Sequence, residues 1–291
     1  MTREIAVLTN PTSGKGRAAG LDDLVVPRLQ NAGASVRRLQ GRSAEEARDL
    51  ADACVAEGVD TLVVIGGDGM VHLAIQSLAG SGTALGVVPA GTGNDVSRYF
   101  GIPREDPVAA VNAIIAGSTR SIDLGRVGPT YFISVLAAGL DAIVNERVNR
   151  MSWPKGQMRY NIATIAALRS FKPISYRIEI DGEELAFEAT TLAVGNTSSY
   201  GGGMRIAEGA DAEDGLLDLV AIGPGTTREL LTTFPLVFKG THVHHPKFHR
   251  WRGKRITIVA AGITAYADGE PIAPLPLTVE VVPSALRIIT P

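Results

Sequence analysis

The sequence predicts an α/β domain, a parallel sheet with helices on both faces, followed by a mainly antiparallel β-sandwich domain. Three observations carry that prediction. Short apolar runs alternate with single helical stretches over the first part of the chain, the grammar of a parallel sheet covered on both sides. Glycine-rich segments opening at Asn10, Gly66 and Pro89 each follow directly on such a run, the place where open α/β sheets bind ligands. Beyond about Gly125 short runs punctuated by Gly and Pro take over, as they do in sandwiches. The boundary is expected near Leu124–Pro129, giving domains 1–125 and 126–291 with a cleft between them.

Element by element, Ile5–Leu8 is a short apolar strand, and a helical stretch follows the Asn10–Gly16 turn and runs to about Ala32. Ser35–Leu39 is a weaker strand. Ser43 with Glu46 three residues on reads as a capping box opening a helix that runs to Glu57 and stops at Gly58. Thr61–Ile65 is a buried strand by its unbroken apolar content. A helix over about Met70–Leu78 leads to the strand Leu85–Val88. In the second part, helices are expected only around Tyr160–Phe171 and Thr227–Val237. Ile174–Ile180 alternates, Asp181-Gly182 turns the chain, and Leu185–Leu192 continues the pattern. The remaining strands are Leu216–Ile222, Arg255–Val259, Ile263–Ala267, Leu277–Val282 and Leu286–Ile289.

Composition narrows the function. A net charge of −2 without a basic block, and aromatics at 5%, give neither the electrostatic footprint nor the stacking platform of a nucleic-acid binder. Apolar runs are broken before spanning length, the N-terminus lacks a signal-peptide pattern, and the single Cys54 excludes an internal disulfide. A reducing cytoplasm fits, with Cys54 read as a packed helix residue.

Three segments suit chemistry. In Gly66-Gly67-Asp68-Gly69 the glycines let backbone amides approach phosphate oxygens, at the positive end of the helix that follows; an ordinary strand-to-helix turn accounts for the same residues. Asn10–Gly16 lacks both the first glycine and the hydroxyl after Lys15 that a Walker loop requires, leaving a loop of small residues with one cation. Pro89–Asp95 is a third such loop, in which Thr92 and Asn94 offer side chains for phosphate or sugar. The late Asp268-Gly269-Glu270 segment places two carboxylates on one face of a strand, suited to accepting a hydroxyl proton, although on the residues alone an exposed hairpin turn is the favoured reading. His242, His244, His245 and His249 match no standard zinc spacing and read as a loop leading into the next strand. The helix around Tyr160–Phe171 suits either core packing or a membrane surface.

Taken in order, Asn10–Gly16, Gly66–Gly69 and Pro89–Asp95, with Ser121–Gly125, Asp214-Gly215-Leu216 and Asp268-Gly269-Glu270, resemble the diacylglycerol kinase catalytic family, which includes bacterial lipid kinases and the sphingosine and ceramide kinases. The resemblance spans essentially the whole chain. It implies ATP lined by Asn10, Pro11, Thr12, Ser13 and Gly14, by Gly66, Gly67, Asp68, Gly69, Met70, Val71 and His72, and by Thr92. It also implies a structural magnesium on Asp214 and the Leu216 carbonyl, with Asp211 or Ala212 beside it. Asp123 belongs to a charge and water network, and Glu270 is the base, with Asp268 close by. Family members carry Thr and Glu where this chain has Met70 and Leu73, which removes one hydroxyl and one carboxylate.

The expected protein is thus an ATP- and magnesium-dependent kinase acting on a lipid hydroxyl, with diacylglycerol the expected acceptor. Its expected place is the cytoplasm, in transient contact with the inner membrane surface. The resemblance leaves two alternatives, an NAD kinase sharing the Gly-Gly-Asp-Gly segment and an idle nucleotide- or lipid-binding regulator. A homodimer through an exposed edge strand is left open.

Overall fold

The computed structural model describes residues 2–10, 18, 20–140, 144 and 173–291. Pro11, Thr12, Ser13 and Gly14, and the helix expected over Tyr160–Phe171, lie outside the described residues. Contacts divide the chain into two units, Met1–Leu124 with Val282–Pro291, and Gly125–Val281.

In the first unit, β1 (Glu4–Thr9), β2 (Ser35–Gln40), β3 (Thr61–Gly66) and β4 (Ala84–Pro89) run parallel in the order β2-β1-β3-β4. Arg287 and Ile288, from the end of the long strand Leu277–Ile289, add a parallel edge against Ala84 and Leu85. Side-chain alternation sorts the helices onto two faces. Ile5, Val7, Val63 and Ile65 share a core with Val25, Val26 and Leu29 of α1 (Asp22–Asn31) and with Val111 and Ile114 of α5 (Pro107–Ala116). The intervening Ala6, Leu8, Leu62 and Val64 are fully buried toward the opposite side, where α2 (Ala44–Ala56) packs on α3 (Asp68–Leu78). Cys54 is buried in α2, as its helical position predicts.

Local chemistry shifts several boundaries. Helix α3 opens at Asp68 rather than Met70, because Gly67 in extended backbone takes the capping position. Ser43 does accept the Glu46 amide at 3.1 Å, but the Glu46 carboxylate reaches the Arg42 amide, so the reciprocal half of the box is made one residue earlier. The short α4 (Asp95–Tyr99) and α5 were not anticipated, nor was β5 (Thr119–Val127) as a strand.

The second unit is antiparallel. Its part of the long strand pairs with β13 (Arg255–Val259), which pairs with β8 (Ile174–Ile180), which pairs with β9 (Glu183–Ala189). A six-stranded sheet has the order β12-β11-β10-β7-β14-β15, formed by Phe248–Gly253, Leu217–Ile222, Thr191–Gly195, Val135–Ala137, Thr264–Ala267 and Glu270–Pro274. Their facing sides share one core: Tyr176, Ile178, Ile256 and Ile258 meet Leu192, Val194, Leu217 and Leu219. The outer face of the six-stranded sheet is covered by Tyr200, Ile206, Ala207 and Ala210, and by Val237 of α6 (Thr227–Lys239). Three expectations need correction. Leu185–Leu192 belongs to two strands that meet at Thr190. Leu277–Val282 and Leu286–Ile289 are parts of one β16 that passes through a positive φ of 51° at Ser284. The short β6 (Thr130–Phe132), with β7, β12 and β15, was not anticipated.

Candidate active site

The parallel register decides where the loops fall. Thr9 stands opposite Ile65, and Gly66 opposite Pro89, so the segments opening at Asn10, Gly67 and Ala90 leave the sheet side by side at its carboxyl edge. Two of them touch. A Cβ on Gly91 would lie 2.5 Å from the Gly67 Cα and 2.7 Å from the Asn94 Oδ1; one on Gly67 would lie 2.9 Å from the Gly91 Cα. Only glycine at both positions allows the backbones to pass at this distance.

Asn94 holds the contact. Its Oδ1 accepts the Gly91 amide at 3.0 Å and its Nδ2 donates to the Gly91 carbonyl at 3.1 Å. To do so it adopts a left-handed φ of 51°, which Asn tolerates better than most residues, and it therefore does not cap α4 with its side chain. Asp68 caps that turn instead, its Oδ1 accepting the Val96 amide at 3.2 Å. The Asp68 carboxylate, expected to line ATP, thus joins the Gly-Gly-Asp-Gly loop to the start of α4. Thr92 is exposed at the tip of its loop.

Helix α3 presents its N-terminal turn at this edge, and Gly67 supplies no side-chain cap, so the positive end of the helix faces this edge. Within that turn the amides of Met70 and Val71 donate to the Gly67 carbonyl at 3.0 and 3.2 Å, and both side chains are buried. His72 is partly exposed on the helix. Asp123, 2% exposed on β5, accepts the Ser284 amide at 2.8 Å and so fixes the left-handed kink of β16.

In the second unit Asp268, at a φ of 52°, turns β14 into β15. Its Oδ2 accepts the Ile133 amide at 3.0 Å, and its Oδ1 accepts the Ser134 amide at 2.9 Å and the Ser134 hydroxyl. Asn196, fully buried, grips the same peptide segment from another strand end: its Nδ2 donates to the Ile133 carbonyl at 2.9 Å, and its amide to the Ser134 carbonyl. Sequence reasoning missed Ser134 and Asn196; the only signal was a polar residue against an apolar run, Ser134 just before β7 and Asn196 just after β10. Glu270, two residues on, is exposed at the start of β15.

The loop read as a magnesium site is self-bonded. Asp211 accepts the Glu213 amide at 3.1 Å and Asp214 the Leu216 amide at 3.0 Å. Arg252 pairs with Asp214 and also approaches Asp218 at 3.4 Å, while Arg250 holds Asp218 at 2.5 Å. Burial raises the Asp218 carboxyl above its ordinary range against the pull of both guanidiniums. Two carboxylates and the Leu216 carbonyl are the hard oxygen donors magnesium takes, with Arg252 as a competing cation. Among the described residues no three His, Cys, Asp or Glu side chains gather as a metal site. The histidines are placed accordingly: His242 is fully buried with Nε2 3.1 Å from the Ile206 carbonyl, and burial lowers its pKa. His249 stacks on Trp251 in β12, which is a strand where a loop was expected.

Residues 4–127 match the diacylglycerol kinase catalytic domain, and residues 134–290 match the YegS C-terminal NAD kinase beta sandwich-like domain. A Mycobacterium tuberculosis (strain CDC 1551 / Oshkosh) protein named Diacylglycerol kinase is 42% identical over 294 residues, spanning 99% of this chain and 95% of that protein. A Bacillus subtilis (strain 168) protein of the same name is 28% identical over 91% of this chain and 88% of its own. The crystal structure of a diacylglycerol kinase from Bacillus anthracis str. Sterne superposes with a TM-score of 0.77 at 20% identity, covering 99% of this chain and 97% of that one; this likeness concerns the fold. The chain belongs to the diacylglycerol kinase family and is a kinase.

Proposed function

We propose that the protein transfers the γ-phosphoryl group of ATP to the hydroxyl of a lipid alcohol, with diacylglycerol as acceptor and phosphatidate as product. The observation that supports the donor half is the Gly67–Gly91 contact at the carboxyl edge of the parallel sheet. There, the positive end of α3 and the exposed Thr92 suit the oxygens of a phosphate. The acceptor half rests on the 42% identity to a protein named Diacylglycerol kinase.

In this mechanism the first-turn backbone of α3 holds the phosphates in line, since phosphoryl transfer depends on positioning and charge neutralisation. Glu270 takes the proton as the acceptor oxygen bonds to the γ-phosphorus and the bond to ADP breaks. Asp268 positions Glu270 by anchoring the turn to Ile133 and Ser134. Asp123 acts through the network that shapes β5 and β16. Magnesium, when bound, neutralises phosphate charge; Asp211, Asp214 and the Leu216 carbonyl would hold a structural magnesium.

Purified protein with ATP, magnesium and a panel of lipid alcohols, NAD included as a separate acceptor, tests the reading. Radiolabelled phosphatidate is the expected product. Labelled NADP without labelled lipid would move the protein to the NAD kinases, and ATP binding without turnover on any acceptor would make it a regulator.

A further inference from the structure

We propose that the outward face of α6 is a docking surface for an anionic bilayer, an inference that rests on the lipid-kinase reading above. Three large apolar side chains are exposed among the described residues, and two of them, Leu231 at 46% and Phe238 at 40%, lie on this one helix. Between them stand the half-buried Phe234, its ring edge-on to Phe238 at 5.6 Å, and the exposed Pro235. At roughly 100° per residue these four side chains fall in one arc. The opposite side, Thr233 and Val237, is buried, and Val237 belongs to the core over the six-stranded sheet. The apolar ridge is therefore surplus to what anchors the helix.

Charge selects the occupant. Arg228 and Lys239 are exposed, and the same angular count puts both along one flank of the ridge. The helix's only carboxylate, Glu229, lies on the far side, committed to the Thr226 amide at 2.7 Å and to Lys247 at 3.1 Å. An apolar ridge with a cationic border and no acid on its face is the pattern of a helix lying in an interface that carries anionic lipid. A protein partner fits less well. With a large side chain worth roughly 150–250 Å², the exposed parts of Leu231 and Phe238 amount to on the order of 200 Å². A specific interface needs about 800 Å² per partner. A bilayer needs no matching shape.

The test is co-sedimentation of the full chain with phosphatidylcholine vesicles with and without phosphatidylglycerol, alongside turnover on vesicle-borne diacylglycerol and on a dispersed short-chain diacylglycerol. The double variant Leu231→Gln/Phe238→Gln should bind mixed vesicles about tenfold or more weakly and lose turnover on vesicles, while melting as the parent and keeping its rate on the dispersed lipid. Arg228→Gln/Lys239→Gln should weaken binding to the anionic vesicles alone and flatten its salt dependence. Unchanged sedimentation of the first variant, or unchanged salt dependence of the second, overturns the inference. So does a parent dimer in light scattering that the first variant abolishes, since a second copy would then cover the face. If no lipid is phosphorylated but vesicle binding still tracks these residues, the kinase reading fails and the docking surface stands.

Discussion

Replacing Gly91 by alanine asks whether the Gly67–Gly91 contact sets the phosphate cradle. The new methyl would sit 2.5 Å from the Gly67 Cα, 2.7 Å from the Asn94 Oδ1 and 3.3 Å from the Gly67 amide nitrogen. Carbon atoms rest about 3.5–4.0 Å apart, so the two loops must separate by roughly 1 Å. Two of the three obstructing atoms are backbone, and the third is held by both hydrogen bonds of the Asn94 clamp. No flexible side-chain end is available to give way. Forced overpacking of this kind costs about 1–3 kcal/mol, a fall in melting temperature of roughly 2–4 °C per kcal/mol for a chain near this size. A displacement of about 1 Å in a positioning loop costs on the order of 10²-fold in rate. The assay is therefore thermal melting together with ATP affinity and kcat/KM, with Gly82→Ala as the control, because nothing lies within 4 Å of a methyl there. Gly91→Ala that melts, binds ATP and turns over like the parent would show that the contact does not shape the nucleotide site.

Asn94→Gly keeps the left-handed backbone but loses both bonds to Gly91, whereas Asn94→Ala loses the bonds and strains φ by about 1–2 kcal/mol more; melting should rank parent, Gly, Ala, and ATP affinity should fall in both variants. Glu270→Gln should lower turnover by roughly 10²–10⁴-fold with ATP affinity unchanged in calorimetry, and an undiminished rate would remove Glu270 as base. Asp268→Asn turns one acceptor oxygen into a donor facing an amide, at a cost of about 1–3 kcal/mol, with turnover falling as the Glu270 turn loosens; equal melting would refute the anchoring role. Because burial holds His242 neutral in the folded state while the unfolded chain protonates it at its usual value, stability should fall as pH drops through the ordinary histidine range. His242→Gln should be less stable at neutral pH, yet lack that part of the acid slope in pH-dependent melting curves.

The convergence of three loops was legible because each follows an unbroken apolar strand, and parallel strands in α/β sheets deliver their loops to one edge. Which atoms touch was not. The sequence shows two glycines at Gly67 and Gly91; that their backbones meet depends on β3 and β4 being sheet neighbours with Gly66 level with Pro89. The capping role of Asp68 was hidden for a related reason. A carboxylate in a glycine loop suggests a ligand, but the Val96 amide that Asn94 leaves uncapped lies at the start of a different element, 28 positions away. Helix α5 escaped notice because its residues are apolar nearly all round, with no clear period, although Asp106 caps it at Ala109 and Gly117 ends it. Strand β16 reads as two because Pro283 and Ser284 look like a turn; the Asp123 carboxylate, 161 positions earlier, holds Ser284 within the strand.

The first unit is discontinuous in the chain: its fifth sheet strand comes from Val282–Pro291, after every residue of the second unit. A protein emerging from the ribosome therefore completes the second unit's sequence before it can close the first unit's sheet. Until then β4 offers an open edge of amides and carbonyls, the kind of edge that pairs with other chains. An isolated Met1–Leu124 fragment would carry the Gly67–Gly91 contact but also that unprotected edge. A fragment meant to report on nucleotide binding alone should keep the segment Val282–Pro291, grafted after Leu124.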